Sequence, residues 1–162
     1  PGTYDLVFGL FERAKEVVYL KKGERTSLTV QPEKVATLAW GGEVQAKFAV
    51  THNEKGVTVA APGFVGEGSE RYVPEHFRAV SVSVSVAQVY SDSMKIERKT
   101  PFANRKFDVL PSGNLAPVTF KPLRNAPDEY EVGVSYPSGI LGSVMTRQRF
   151  YFVPPKKIGD KK

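Results

Sequence analysis

The residues best suited to catalysis or metal binding are few in this sequence. It contains two histidines, His52 and His76, and no cysteine. A zinc site needs three or four converging ligands, and neither histidine has a second His or a Glu at the spacing of a helical metal motif. The lack of cysteine also excludes disulfides, thiolate ligands and a cysteine nucleophile. We therefore expect no metal and no cofactor.

Motifs for nucleophilic catalysis and phosphate binding are incomplete. The segment Gly66-Glu67-Gly68-Ser69-Glu70 comes nearest to a Gly-x-Ser-x-Gly elbow, but it lacks the second glycine. The glycine-rich stretch from Gly63 to Gly68 is not followed by the lysine and helix of a phosphate-binding loop. The spacing of Asp and Glu singles out no carboxylate pair. The sequence thus predicts that the chain is not an enzyme.

One stretch, residues 95–106, is strongly basic, and Phe102 and Phe107 are interleaved with its cations. Such a segment can hold an anionic polymer. The plainer interpretation is a solvated loop that its phenylalanines anchor to the core. Nucleic acid is not expected as a partner, because the net charge of +6 includes a short lysine-rich tail. The candidate contacts are Lys95, Arg98, Lys99, Arg105 and Lys106.

Three aromatic residues are candidates for binding a carbohydrate. Trp40 precedes two glycines that could expose its ring, although a buried Trp is the plainer interpretation. Phe64 and Tyr72 lie in residues 61–78, a stretch that we predict to be a long link with little structure of its own. Because function is often found on such links, residues 61–78 are the expected contact surface.

The elements that position these residues are predicted to be strands. The chain has 22 Val against 9 Leu, with 10 Phe and 7 Tyr, and branched and aromatic side chains favour strands. Between Ala79 and Tyr90, Val and Ser alternate until Ala87, where the change of phase predicts a bulge. Alternation also predicts strands at Glu43–Thr51, at Glu129–Tyr136 and at Thr146–Val153. Residues 10–18 have the charge content of a short helix, but the pattern is too short to predict one.

Residues 1–30 show a motif in a fixed order: Pro-Gly-x-Tyr, a Val-rich strand, Gly23-Glu24 and a final Leu-x-Val strand. This order resembles the closing half of a carboxypeptidase-regulatory-like (prealbumin-like) β-sandwich repeat. A hairpin between Val17–Lys21 and Thr26–Val30, closed at Gly23-Glu24, is consistent with it. The resemblance implies an extracytoplasmic protein of several modules, in which such a module is structural or adhesive.

With 162 residues, the chain is long enough for a single core. About ten short strands separated by turns predict an all-β, antiparallel immunoglobulin-like β-sandwich over residues 1–155. A division into residues 1–34, the end of a preceding module, and residues 35–155 stays open, and residues 156–162 form a basic tail. No apolar run is long enough for a membrane span.

These observations predict a structural or protein-interaction module of a larger exported protein, located in the periplasm, at the cell surface or outside the cell. The expected partners are other protein modules, and a polysaccharide is the alternative. Binding of carbohydrate through exposed aromatics, or of an anionic polymer through residues 95–106, are the competing functions.

Overall fold

The computed structural model describes residues 1–24, 27–37, 41–53, 56–75, 81–91, 97–121 and 129–151. Within these residues there are strands and turns but no helix. The strands are β1 (Gly2–Asp5), β2 (Phe8–Arg13), β3 (Glu16–Lys21), β4 (Ser27–Val30), β5 (Gln45–Lys47), β6 (Val50–Asn53), β7 (Gly56–Val59), β8 (Gly63–Val65), β9 (Arg71–Pro74), β10 (Ser83–Ser91), β11 (Glu97–Lys106), β12 (Val118–Phe120), β13 (Glu129–Ser138) and β14 (Gly142–Tyr151).

The longest strands form an antiparallel sheet in the order β11-β10-β13-β14. The predicted alternation forms the inner face of this sheet. The valines on that face are buried: Val84 and Val86 of β10, and Val132 and Val134 of β13. The predicted bulge is confirmed: the β10–β11 register shifts between Val86 and Ala87. The two clearest sequence patterns therefore lie side by side at the centre of one sheet.

A second layer contains an antiparallel sheet of five strands, β2-β3-β9-β8-β5, and one of three strands, β12-β7-β6. Strand β6 pairs with β7 in an antiparallel hairpin. Strands β1 and β4 pair with each other in a separate ribbon.

The two layers enclose one core, so the chain is an all-β sandwich. The rings of Phe64 and Tyr136 bring the five-stranded and four-stranded sheets together, with centroids 4.8 Å apart. The Ala46 amide also donates a hydrogen bond to Thr146 Oγ1 at 2.9 Å. Val18 and Leu20 of β3 belong to the same apolar cluster as the residues of the later strands.

Two predictions about local structure are wrong. The expected hairpin between residues 17–21 and 26–30 is absent, because β3 pairs with β2 and β9 while β4 pairs with β1. The expected continuous strand Glu43–Thr51 is divided into β5 and β6, which belong to different sheets. Burial on one side of each segment produces the same alternation whichever sheet it joins, so neither pairing was visible locally.

Residues 10–18, which had the charge content of a short helix, also form strands. They contain most of β2, a turn at Ala14-Lys15 and the start of β3. Ala14 has a φ of 56°, a conformation that is uncommon for a residue with a side chain. The tight turn makes β2 and β3 adjacent antiparallel strands.

Candidate interaction surface on the five-stranded sheet

Phe64 and Tyr72 are core residues, so the expectation that their rings are exposed is wrong. The stretch 61–78 is also not a link without structure, since it contains β8 and β9. In the register of the sheet, Tyr72 lies opposite both Leu20 and Phe64, and all three side chains are buried. The neighbours of Tyr72 and Phe64 in sequence, Arg71 and Val65, point to the outer face because side chains alternate along a strand.

The candidate residues of the basic segment do not form one cluster of free cations. Lys99 forms an ion pair with Glu131, with Nζ 2.7 Å from Oε2. The guanidinium of Arg105 donates a hydrogen bond to the Thr119 carbonyl at 3.2 Å, and Lys106 is exposed at the end of β11. Arg98 lies in β11, and its side chain is outside the description. Trp40 and Lys95, like His76, lie outside the described residues.

The outer face of the four-stranded sheet carries charges of both signs. Arg149 lies 2.6 Å from Glu97 Oε1 and 3.3 Å from Glu129 Oε1. A hydrogen bond from Arg149 is the largest cause that lowers the pKa of the Glu97 carboxyl. Together with the Lys99–Glu131 pair, these contacts neutralise charge across β11, β13 and β14. This face is therefore less attractive to an anionic polymer than the sequence alone suggested.

A buried carboxylate is the least expected polar group of the core. Glu70 is fully buried, and its Oε1 accepts hydrogen bonds from the Tyr72 hydroxyl at 2.9 Å and from the Gly41 amide at 3.3 Å. Its Oε2 has no hydrogen-bond partner among the described residues. A side chain at position 66 would overlap Glu70, because a Cβ there would lie 2.0 Å from Oε1. Glycine at position 66 thus leaves the space that this carboxylate occupies.

Groups of three or more potential metal-ligating side chains are absent from the described part of the chain. The carboxylate of Glu70 is enclosed by the fold and is held by a phenol and a backbone amide. Its contacts therefore assign it to holding the segment 66–70 against residue 41, where it stabilises the structure.

Exposed apolar side chains are concentrated on β2 and the residue before it. Val7 is 79% exposed, Phe8 56% and Leu10 54%, and Phe11 is also exposed. The Phe8 ring lies beside that of Tyr19 on β3, with centroids 5.6 Å apart. Strand β2 is at the edge of its sheet, and no described strand lies along its other side. An exposed apolar edge strand is a ready template for pairing with another chain.

Next to this edge, the outer face of the sheet is cationic. The cross-strand register places Phe8 opposite Lys21, and Lys21 opposite Arg71. Lys47 of β5 lies further across the same sheet. A groove of about 710 Å³ contains these side chains. The edge of β2 and the groove share Phe8, so we treat them as one candidate interaction surface.

Comparisons with protein-family models, with curated proteins and with solved structures found no match for this chain. Across the described residues, no helix has the length and apolar character needed to cross a membrane.

Proposed function

We propose that this chain is a non-enzymatic protein-interaction module that binds its partner at the edge of β2. The observation that carries the proposal is a group of exposed apolar side chains at one edge strand. They are Phe8, Leu10 and Phe11 in β2 and Val7, the residue before it. Isolated exposed apolar residues are normal on soluble proteins, but several on one strand at the edge of a sheet favour a contact site. A protein partner can use both the apolar side chains and the unpaired backbone groups of such an edge.

Met145 supplies a matched control for this surface. It is 57% exposed on β14, which makes it as accessible as Leu10, but it lies in the other sheet. A photo-activated amino acid at position 10 or 145 therefore samples two equally accessible surfaces. The labelled chains would be irradiated in extracts of the cells that produce the protein.

We expect position 10, but not position 145, to form a crosslink to one defined protein. With that protein purified, Leu10→Ser should weaken binding by about tenfold, because truncating one well-packed contact costs more than 1 kcal/mol. Met145→Ser should leave binding unchanged. Equal crosslinking at both positions would overturn the proposal, as would substrate turnover that a single side-chain change abolishes.

We also propose that the module belongs to a larger exported protein with an extracytoplasmic location. The support is the resemblance of residues 1–30 to the end of a carboxypeptidase-regulatory-like repeat. Strands β1 and β4 lie at the positions of its Tyr-containing and Leu-x-Val strands, although the hairpin expected between residues 17–21 and 26–30 is not formed. Peptide mapping of the protein from its source should show a longer chain with an export signal. A cytoplasmic chain without further modules would contradict this proposal.

A further inference from the structure

A groove lies on the outer face of the five-stranded sheet, between the edge at Phe8 and Lys47 of β5. It has a volume of about 710 Å³, which is ample for several side chains of a partner. Its lining has four cationic side chains and one anionic side chain: Lys21, Lys22, Lys47 and Arg71 against Glu24. Its apolar side chains are Val7, Phe8 and Val65.

Three of the four cations in the groove have no ion-pair partner in the described structure. Lys22 is paired with Asp5, with Nζ 3.0 Å from Oδ2. Lys21, Lys47 and Arg71 form no such pair there. By contrast, the strand cations Lys99 and Arg149 on the other sheet lie within 2.7 Å of a carboxylate oxygen. The groove therefore keeps a local positive charge, which Glu24 offsets in part.

Two of these cations are placed where they repel each other. Lys21 and Arg71 are direct cross-strand partners, so their side chains leave the same face of the sheet at adjacent positions. Like charges in this arrangement destabilise a sheet. A bound anion between them would offset that repulsion, and the apolar wall beside them strengthens charge interactions by limiting contact with water.

The free edge of β2 indicates which kind of anion fits. Phe8 belongs both to the groove and to this edge, so a protein bound at the edge also lies beside the groove. A polysaccharide could use the cations and the Phe8 ring, whereas a protein can also pair with the backbone of β2.

We infer that the groove binds an extended acidic segment of the protein partner, with its carboxylates at Lys21, Arg71 and Lys47. This inference rests on the proposed function and names the chemistry of the partner. Arg71 can bind a carboxylate by donating two parallel hydrogen bonds to it, which a lysine cannot do. The acidic segment would cross the strands from Lys47 towards β2 and place an apolar residue against Phe8.

The test uses a fluorescein-labelled peptide of alternating Glu and Thr, and its binding is measured by fluorescence anisotropy. A peptide of alternating Gln and Thr has the same length and strand propensity without charge. Arg71→Gln is compared with Arg147→Gln, which removes the same charge from an exposed position on β14. Thermal unfolding of both variants confirms that they are folded.

We expect the Glu-containing peptide to bind, with affinity that falls as salt is added, and the Gln-containing peptide not to bind. Arg71→Gln should weaken binding by about tenfold, as expected for an arginine at the centre of a contact, and Arg147→Gln should not. Equal weakening by both variants, or no binding at low salt, would overturn the inference. It would also be overturned if a sulfated oligosaccharide bound more tightly than the peptide.

The photo-crosslinking at Leu10 separates this inference from the proposed function. If the acidic peptide fails while position 10 still crosslinks a defined protein and Leu10→Ser weakens its binding, the groove is not the acidic site but the interaction edge stands. If position 10 behaves like position 145, both proposals fail.

Discussion

The hydrogen bond between Tyr72 and Glu70 joins two buried polar groups inside an apolar core. A buried carboxylate is costly unless its oxygens have partners. In the described part of the chain, Glu70 Oε1 has two partners and Oε2 has none. The Tyr72 hydroxyl is one of the few groups that offset this cost. Its contribution should therefore be larger than that of an exposed tyrosine with the same kind of partner.

Tyr72→Phe should lower the free energy of unfolding by about 1–3 kcal/mol, because it leaves a buried acceptor with one fewer donor. The matched control is Tyr19→Phe. The Tyr19 hydroxyl also bonds a carboxylate, Glu75 Oε1 at 3.0 Å, but in an exposed position, so its removal should cost less than about 0.5 kcal/mol. Urea denaturation measures both. Equal losses of unfolding free energy in the two variants would show that burial does not make the Tyr72 hydrogen bond more stabilising.

The same contact predicts a dependence of stability on alkaline pH. Burial, with the hydrogen bond to Glu70 and its charge, raises the pKa of Tyr72 from 10.0 to about 12. The folded state therefore holds this proton more tightly than the unfolded state. The resulting stability is complete below pH 10 and is lost as the pH rises through about 12.

Denaturation curves between these pH values should show a falling free energy of unfolding, with a shallower fall in Tyr72→Phe. Some fall should remain in the variant, because burial also raises the pKa of Tyr136 and a hydrogen bond to Glu75 raises that of Tyr19. Identical slopes in the variant and the native chain would contradict the assignment to Tyr72.

At the scale of strands, the sequence predicted patterns better than partners. The alternation in β10 and β13 was correctly predicted to have a buried face, because a period of two is a local property. Which strands pair was not predictable, since β4 pairs with β1 across a long stretch of chain. Strands β8 and β9 have only three and four residues, too few to show a periodic pattern.

The candidate surface was missed for a related reason. A run of apolar residues looks the same in sequence whether it faces the core or water. Phe64 and Tyr72 were therefore expected to be exposed, and the exposure of Phe8 and Leu10 was not foreseen. Neighbouring residues of a strand point to opposite faces. The adjacent apolar residues Leu10 and Phe11 could therefore have indicated that β2 is apolar on both faces.

The cross-strand pair in the groove should cost stability. Lys21→Gln removes the repulsion with Arg71 and should raise the free energy of unfolding by about 0.2–1 kcal/mol. The matched control, Lys99→Gln, breaks the ion pair with Glu131 and should lower it slightly. Both effects should shrink as salt is added. If Lys21→Gln destabilises the protein in denaturation experiments, Lys21 has a stabilising partner and the groove is not a site of unbalanced charge.

The end of β3 and the turn between β8 and β9 are held in close backbone contact. A Cβ at position 23 would lie 2.2 Å from the Ser69 carbonyl carbon, whereas at Gly63 it would meet only the Lys47 oxygen at 4.0 Å. Gly23→Ala should therefore lower the melting temperature and the free energy of unfolding, by about 1–3 kcal/mol. Gly63→Ala should change stability by less than about 0.5 kcal/mol. Similar values for the two variants would contradict the close approach.

At the scale of the whole molecule, the two sheets of the sandwich have different outer faces. The outer face of the four-stranded sheet carries ion pairs such as Lys99–Glu131. The outer face of the five-stranded sheet combines an apolar edge with Lys21, Lys47 and Arg71, which have no ion-pair partner among the described residues. This asymmetry places the proposed contact on one side of the molecule, and the composition of the whole chain could not show it.

Amide hydrogen exchange of the purified chain, alone and with its crosslinked partner, tests the central claim most directly. In the free chain, amides of β2 that point away from β3 should exchange rapidly, because no described strand accepts their hydrogen bonds. On binding, these amides of Phe8–Arg13 should become protected, while those at the edge strands β11 and β14 stay unchanged. Protection at β11 or β14, with β2 unaffected, would contradict the claim that this chain binds its partner through the edge of β2.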